Sequence, residues 1–171
     1  GSAVDAAKAT AYYMGKRIVI RPTVAATDAP CPGLSVIYND DGSFNKYLFY
    51  PQNPDAVLVD SSVIAKAPVK FLIAGMGDAL GTYFEGRASL RTESPSLESG
   101  GITRAGMAIA RACYDTLRKY GKAAITACEN NVVTPALDAI IEAKVYLSGV
   151  GAENVNCAAP HSFYNGVTSL G

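Results

Sequence analysis

The hydrophobic pattern of this chain changes period once, near residues 60–68, and that change limits the fold more than any other feature. Before it, apolar residues come in short runs closed by turn formers. Residues 17–21 end at Pro22, 34–38 at Asn39-Asp40-Asp41-Gly42, 44–50 at Pro51 and 56–59 at Asp60. Runs of that length between Pro, Gly, Asn and Asp read as strands. The Asn-Asp-Asp-Gly turn makes the second and third runs the arms of a hairpin. The only helix in this part is alanine-rich, over residues 3–14, with Asp5 in its first turn and Gly15-Lys16 ending it. From Ser62 onward the spacing is helical. Residues 69–72 lead into Gly75-Met76-Gly77, and helical spacing recurs over 78–88. An amphipathic helix covers 102–120 and stops at Gly121, and a shorter one covers 122–131. Thr134 as N-cap and Pro135 as first residue open another, which runs to about Ser148 before Gly149 and Gly151. Residues 91–101 are a polar loop, and a last segment covers 157–171. The chain therefore divides into an α/β part, 1–62, and an all-α part, 63–171.

Composition removes several classes of function. A chain of 171 residues makes one ordinary domain or parts of two. Hydrophobic residues at 49% and charged residues at 18% are globular proportions. Fifteen basic and fifteen acidic residues cancel, no basic block stands out, and a nucleic-acid surface is not expected. No apolar stretch is long enough to span a bilayer, and residues 1–10 lack the basic start and apolar middle of a signal peptide. Cys31, Cys113, Cys128 and Cys157 lie far apart with no CxxC pair, which suits reduced thiols in a cytoplasmic protein. The first residue is Gly, not Met; Gly1-Ser2 reads equally as a tag remnant or as the end of a glycine-rich turn that feeds the helix.

Three groups of residues carry chemistry. The helix start at residues 1–5 offers bare backbone N–H groups to an anion, although an ordinary helix start fits the composition as well. The loop at 23–33 places Thr23, Thr27 and Asp28 together and is stiffened by Pro30 and Pro32. It serves either as a capped turn or as a polar binding loop, since a carboxylate can accept hydrogen bonds from hydroxyls on adjacent carbons. Asp78 and His161 are metal-ligand types 83 positions apart (161 minus 78), so spacing alone says nothing about their meeting. Asp78 also suits a helix N-cap after Gly75-Met76-Gly77, and a single histidine is more often structural than ligating.

Several separate motifs agree in order with one family. They are Gly1-Ser-Ala-Val-Asp5-Ala-Ala-Lys8, Pro22-Thr23-Val-Ala-Ala-Thr27-Asp28-Ala-Pro30, Leu34-Ser-Val-Ile-Tyr38, Pro54-Asp55-Ala-Val-Leu-Val-Asp60, Ala74-Gly-Met-Gly-Asp78-Ala-Leu80 and Ala158-Ala-Pro-His161-Ser-Phe-Tyr-Asn165-Gly166. With these the chain resembles a central portion of the glycerol dehydrogenase branch of the iron-containing alcohol dehydrogenase family, lacking both ends. The resemblance implies an incomplete Rossmann-like nucleotide-binding part followed by a helical metal-binding part, in a dehydroquinate synthase-like two-domain architecture. It implies NAD-dependent oxidation of glycerol to dihydroxyacetone, with zinc (or iron) as the metal, a small polyol as substrate and a homo-oligomer as the full-length enzyme. By the same resemblance Gly1, Ser2, Ala3, Val4 and Asp5 line the NAD site. Thr23 and Ala26 fall on its adenine side, Leu34 and Tyr38 on its nicotinamide side, and Asp28 on the polyol. Asp78 and His161 fall on the metal, with a third ligand, another histidine, beyond Gly171.

Two departures accompany the match. Pro32 stands where the family usually has Ser, which removes a hydroxyl contact to the cofactor and leaves the main-chain carbonyl. Tyr164 stands where many relatives carry His, and a phenol cannot act as an imidazole relay. One Asp and one His are fewer than the three protein ligands a catalytic zinc usually keeps. The rival expectations are an inactive fragment, a non-enzymatic remnant of the family, or a dehydrogenase for another small diol. Asp28 favours an uncharged diol, because a carboxylate repels a phosphate.

Overall fold

Alanine has the highest helix propensity, and the alanine-rich start of the chain forms α1, Ser2–Tyr13, as its composition predicts. Gly15 takes a left-handed φ of 60° just beyond it, where a residue with a Cβ would be strained. The structure is a computed structural model that describes residues 1–97 and 99–168. Its further elements are β1 (Val19–Ile20), β2 (Leu34–Tyr38), β3 (Phe44–Phe49), β4 (Ala56–Val57), α2 (Ser61–Ala65), α3 (Val69–Arg91), α4 (Arg104–Glu129), α5 (Pro135–Glu142), a π-helical stretch (Ala143–Ser148), α6 (Gly149–Val155) and α7 (Ala159–Val167). The segment expected over 157–171 passes outside the described residues at 169.

The expected hairpin forms. β2 and β3 pair antiparallel, Leu34 opposite Phe49, with a bulge between Ile37 and Tyr38. Gly42 turns the chain between them at a φ of 84°. The runs at 17–21 and 56–59 are shorter strands than their sequence suggests. They meet as a two-residue parallel pair, Val19 beside Ala56 and Ile20 beside Val57. Pro22 has no N–H to extend β1. The fourth run turns at Asp60, whose Oδ1 accepts from Ser62 N at 2.9 Å and caps α2. Thr103 caps α4 through Gly106 N at 3.0 Å, and Thr134 caps α5 through Leu137 N at 3.2 Å, with Pro135 in the first turn.

Beyond α1, the expected helix stops at glycine do not occur. α3 runs unbroken through Gly75 and Gly77, so Asp78 lies in a helix interior and is not an N-cap. α4 passes through Gly121, and the chain from α5 passes through Gly149 and Gly151 within α6. These glycines serve close packing instead of chain termination. A Cβ on Gly121 would stand 2.6 Å from Met76 Cε, and one on Gly149 would stand 3.0 Å from Cys31 Cβ. A Cβ on Gly151 would stand 3.2 Å from Thr82 Cγ2. Small residues along α4 let the neighbouring helices approach, and Leu72, Ala79, Cys113, Leu117, Ala124, Leu137, Ile140 and Ile141 form the core between them. Ala25 joins this core from the loop after β1, tying the α/β part to the helices. Among the described residues no helix is long and apolar enough to cross a membrane.

Two glycines in one helix give opposite expectations. At Gly75 a Cβ would meet Lys144 Nζ at 1.6 Å and the Ala25 carbonyl oxygen at 2.6 Å, whereas at Gly77 it would meet nothing within 4 Å. Thermal and urea unfolding should show Gly75→Ala destabilised by about 1–3 kcal/mol. Gly77→Ala should gain up to about 1 kcal/mol from helix propensity. Equal effects at the two positions would contradict the packing role of Gly75.

Candidate active site

The loop between β1 and β2 is held from both sides by buried charges. Lys8, 3% exposed, reaches up from α1, and its Nζ donates to the carbonyls of Ala29 (2.8 Å), Pro32 (3.2 Å) and Leu34. Asp5 one turn earlier pairs with it, Oδ1 to Nζ 3.5 Å. Burial pushes the Lys8 ammonium below its ordinary range and the Asp5 carboxyl above its own. From the other side comes Glu153 of α6. It accepts from Gly33 N at 2.6 Å and from Asn53 Nδ2 at 2.8 Å. A loop whose carbonyls and amides are satisfied by ionised side chains is fixed more firmly than one left to water, because charge-assisted bonds are about twice as strong as neutral ones.

The clamped loop delivers Asp28 to the helices. Ser148 Oγ donates to Asp28 Oδ2 at 3.1 Å and lies 3.0 Å from Thr82 Oγ1 of α3. Asp28, Asp78 and His161 then line one cavity of about 650 Å³, between the hairpin side and the helices α3, α6 and α7. His161 Nε2 lies 3.8 Å from Asp78 Oδ1. Its Nδ1 lies 2.8 and 2.9 Å from the two oxygens of Glu85, seven residues (85 minus 78) after Asp78 on the same face of α3. Glu85 is buried and also accepts from Ala158 N, at the start of α7.

The field in the cavity is negative. Burial raises the Asp28 carboxyl, to about 6, helped by the charge of Asp78, and burial also raises Asp78. Against the upward push of burial, bonds from His161 and Ala158 N–H hold Glu85 below its usual range. Hydrogen bonding to Cys157 and then to Glu85 pushes the His161 imidazole up, to about 11, against its own burial. Lys144, 1% exposed, has no hydrogen-bond partner for its Nζ among the described residues, and burial pushes it down to about 8. The acidic groups that favour a proton on the imidazole would equally favour a metal cation bound in place of that proton.

The donor set fits a metal. An imidazole nitrogen and a carboxylate oxygen that share a zinc stand roughly 3.4 Å apart, so the 3.8 Å between Nε2 and Oδ1 needs a shift of only a few tenths of an ångström. The Nδ1 contact to Glu85 is the carboxylate–histidine arrangement that fixes a ligating ring. Of the other residues singled out in the sequence, Gly1, Ser2, Asp5, Ala26, Pro32, Leu34 and Tyr38 line the same cavity. Ala3, Val4 and Thr23 line an adjoining groove of about 350 Å³, to which Gly1 and Ala26 also contribute. Tyr164 lies in the main cavity.

Glu85, Lys144 and Glu153 are not singled out in the sequence pattern, and Cys157 and Lys8 stand there only as a reduced thiol and as part of a motif. Helical spacing from Asp78 could have marked Glu85, and the four-residue offset from Cys157 to His161 could have marked the thiol. Nothing local marks Lys144, whose surroundings come from α3 and the loop at Ala25.

No family model matches the chain. It is similar to the glycerol dehydrogenase of Escherichia coli O6:H1, 49% identical over 99% of this chain and 46% of that protein. A solved glycerol dehydrogenase from Schizosaccharomyces pombe superposes with a TM-score of 0.95 at 46% identity, covering 98% of this chain and 42% of that one. A probable glycerol dehydrogenase from Sinorhizobium meliloti 1021 superposes at 0.94 with 47% identity, covering 98% and 47%. At 20% identity an iron-containing alcohol dehydrogenase shares the fold, with a TM-score of 0.72. The chain is thus similar to glycerol dehydrogenases along nearly its whole length and spans about half the length of the curated relatives it matches.

Lys8→Met leaves the loop carbonyls without their donor and Asp5 without its partner. It should cost about 3–5 kcal/mol in urea unfolding, the range for breaking a buried ion pair. A loss under about 1 kcal/mol would remove the clamp from this account.

Proposed function

We propose that this chain holds the polyol and the metal in an NAD-linked glycerol dehydrogenase that oxidises glycerol to dihydroxyacetone. One observation carries the reading. Asp28, Asp78 and His161, from three distant segments, line a single cavity beside the helix start at Gly1 and Ser2. High identity to glycerol dehydrogenases over 99% of the chain supports it.

In this reading Asp78 Oδ1 and His161 Nε2 hold a divalent metal. Zinc is the expected ion, with iron suiting the same ligand types. The bound ion would supply Lewis acidity toward the substrate hydroxyl. Glu85 accepts a hydrogen bond from Nδ1–H, which leaves the Nε2 lone pair for the metal. Asp28, steadied by Ser148, accepts hydrogen bonds from the other hydroxyls of the polyol and turns the reacting carbon toward the cofactor. The N-terminus of α1 faces the pyrophosphate with Gly1, Ser2, Ala3, Val4 and Asp5. Thr23 and Ala26 lie along the adenine side of NAD, Leu34 and Tyr38 lie along the nicotinamide, and Pro32 also borders the cofactor. NAD carries the hydride, and the chain supplies position and field.

We place the boundary between the nucleotide-binding part, 1–62, and the metal-binding helical part, 63–171, at α2, where strands give way to helices. The reading as a cytoplasmic homo-oligomer rests on the family and on four cysteines that form no disulfide.

The test is formation of NADH from NAD and glycerol by the purified protein. Chelation should abolish it, and zinc or iron should restore it, metal analysis showing which is bound. Activity indifferent to chelation, or no metal retained at all, would contradict the proposal and favour a non-enzymatic remnant. Asp28→Asn should raise KM for glycerol far more than for a simple alcohol; equal effects would take Asp28 away from the polyol. Glu85→Gln should weaken zinc binding by about 10–100-fold in a chelator competition. Unchanged affinity would deny Glu85 its orienting role.

A further inference from the structure

The His161 ring has a second side. Donor atoms of Glu85, Cys157 and His161 lie within 4.8 Å of one another. Glu85 approaches the ring at Nδ1, the nitrogen that faces away from Asp78. Glu85 is 2% exposed, Cys157 is half-buried, and both line the cavity with the ring. A carboxylate, a thiol and an imidazole converging from α3 and the start of α7 are the ligand types of a zinc or cadmium centre. The thiol makes this set softer than the Asp78 side, which offers only oxygen and nitrogen.

From this convergence we infer a second cation position, formed by Glu85, Cys157 and His161 and selective for thiophilic d10 ions such as zinc in excess or cadmium. Binding there deprotonates the Cys157 thiol, whose proton leaves to solvent as the sulfur–metal bond forms. It also uses the Nδ1 lone pair, so the proton of the neutral ring sits on Nε2 and points to Asp78. The position on the Asp78 side needs the opposite tautomer, with Nδ1–H given to Glu85. The two positions therefore exclude each other while the ring is a neutral imidazole, and a soft cation at the thiol takes His161 away from Asp78. The assignment uses the same histidine as the proposed dehydrogenase site but does not depend on glycerol oxidation.

Cadmium is the probe, titrated into the purified protein and followed by the ultraviolet sulfur-to-cadmium charge-transfer band. The band should appear with one equivalent in the parent and in Asp78→Asn, and should be absent at one equivalent in Cys157→Ser. Glu85→Gln should lower cadmium affinity by tenfold or more. Persistence of the band in Cys157→Ser would place the metal on another thiol and overturn the assignment. Loss of the band in Asp78→Asn would mean a single site built on Asp78, and unchanged affinity in Glu85→Gln would remove the carboxylate; either overturns it. A readout without substitution guards against misfolded variants. In the unaltered protein one equivalent of cadmium should slow alkylation of Cys157 at least tenfold, followed by peptide mass analysis. Alkylation at the same rate with and without cadmium would overturn the assignment. Asp78→Asn removes the proposed catalytic position and leaves this one, so the two readings fail separately.

Discussion

The buried ammonium of Lys8 sits at the centre of this structure. It comes from an otherwise simple alanine-rich helix, and it ends under a loop whose carbonyls at Ala29, Pro32 and Leu34 point inward to meet it. Burying a charge is unfavourable unless it is paired and hydrogen-bonded. Asp5 and the three carbonyls meet that condition, and Glu153 performs the matching task for Gly33 N on the other side. Because the loop is fixed at both ends, Asp28 reaches Ser148, and Ala25 enters the helical core. The α/β part and the helices are thus joined through one loop, and the cavity lies where they join.

How much of this was legible follows from where each signal resides. α1, the β2–β3 hairpin, the Asp60 cap and the Thr134-Pro135 helix start are set by neighbouring residues and could be read directly. Glycine misled the reading at Gly75, Gly121 and Gly149. A missing Cβ serves a helix end and a close contact equally, and only the partner shows which applies: Lys144 and Ala25, Met76, and Cys31. The site divides the same way. Asp28, Asp78 and His161 were singled out through resemblance, since their separation in sequence carries no information about contact. Glu85 was within reach of helical spacing from Asp78. Lys144 was not, because the neighbours of its ammonium at Gly75 and Ala25 lie far from it in the chain.

The cavity gathers more negative than positive groups. Asp28, Asp78 and Glu85 converge on it, and two buried ammonium groups nearby, Lys8 and Lys144, are themselves pushed down by burial. Two of the carboxyls are raised, chiefly by burial, and the imidazole between Asp78 and Glu85 is raised by its hydrogen bonds to Cys157 and Glu85. A divalent cation would relieve the crowding of like charges, and a polyol would bring hydroxyl donors to Asp28. Structure and chemistry therefore meet at the imidazole: Glu85 controls which nitrogen is free, and the free nitrogen decides what the ring can bind.

The most direct measurement is zinc-edge X-ray absorption on the purified protein loaded with one equivalent of zinc. The account predicts a shell of oxygen and nitrogen that includes imidazole scattering. A shell without imidazole, or one dominated by sulfur, would contradict the claim that Asp78 and His161 hold the working metal.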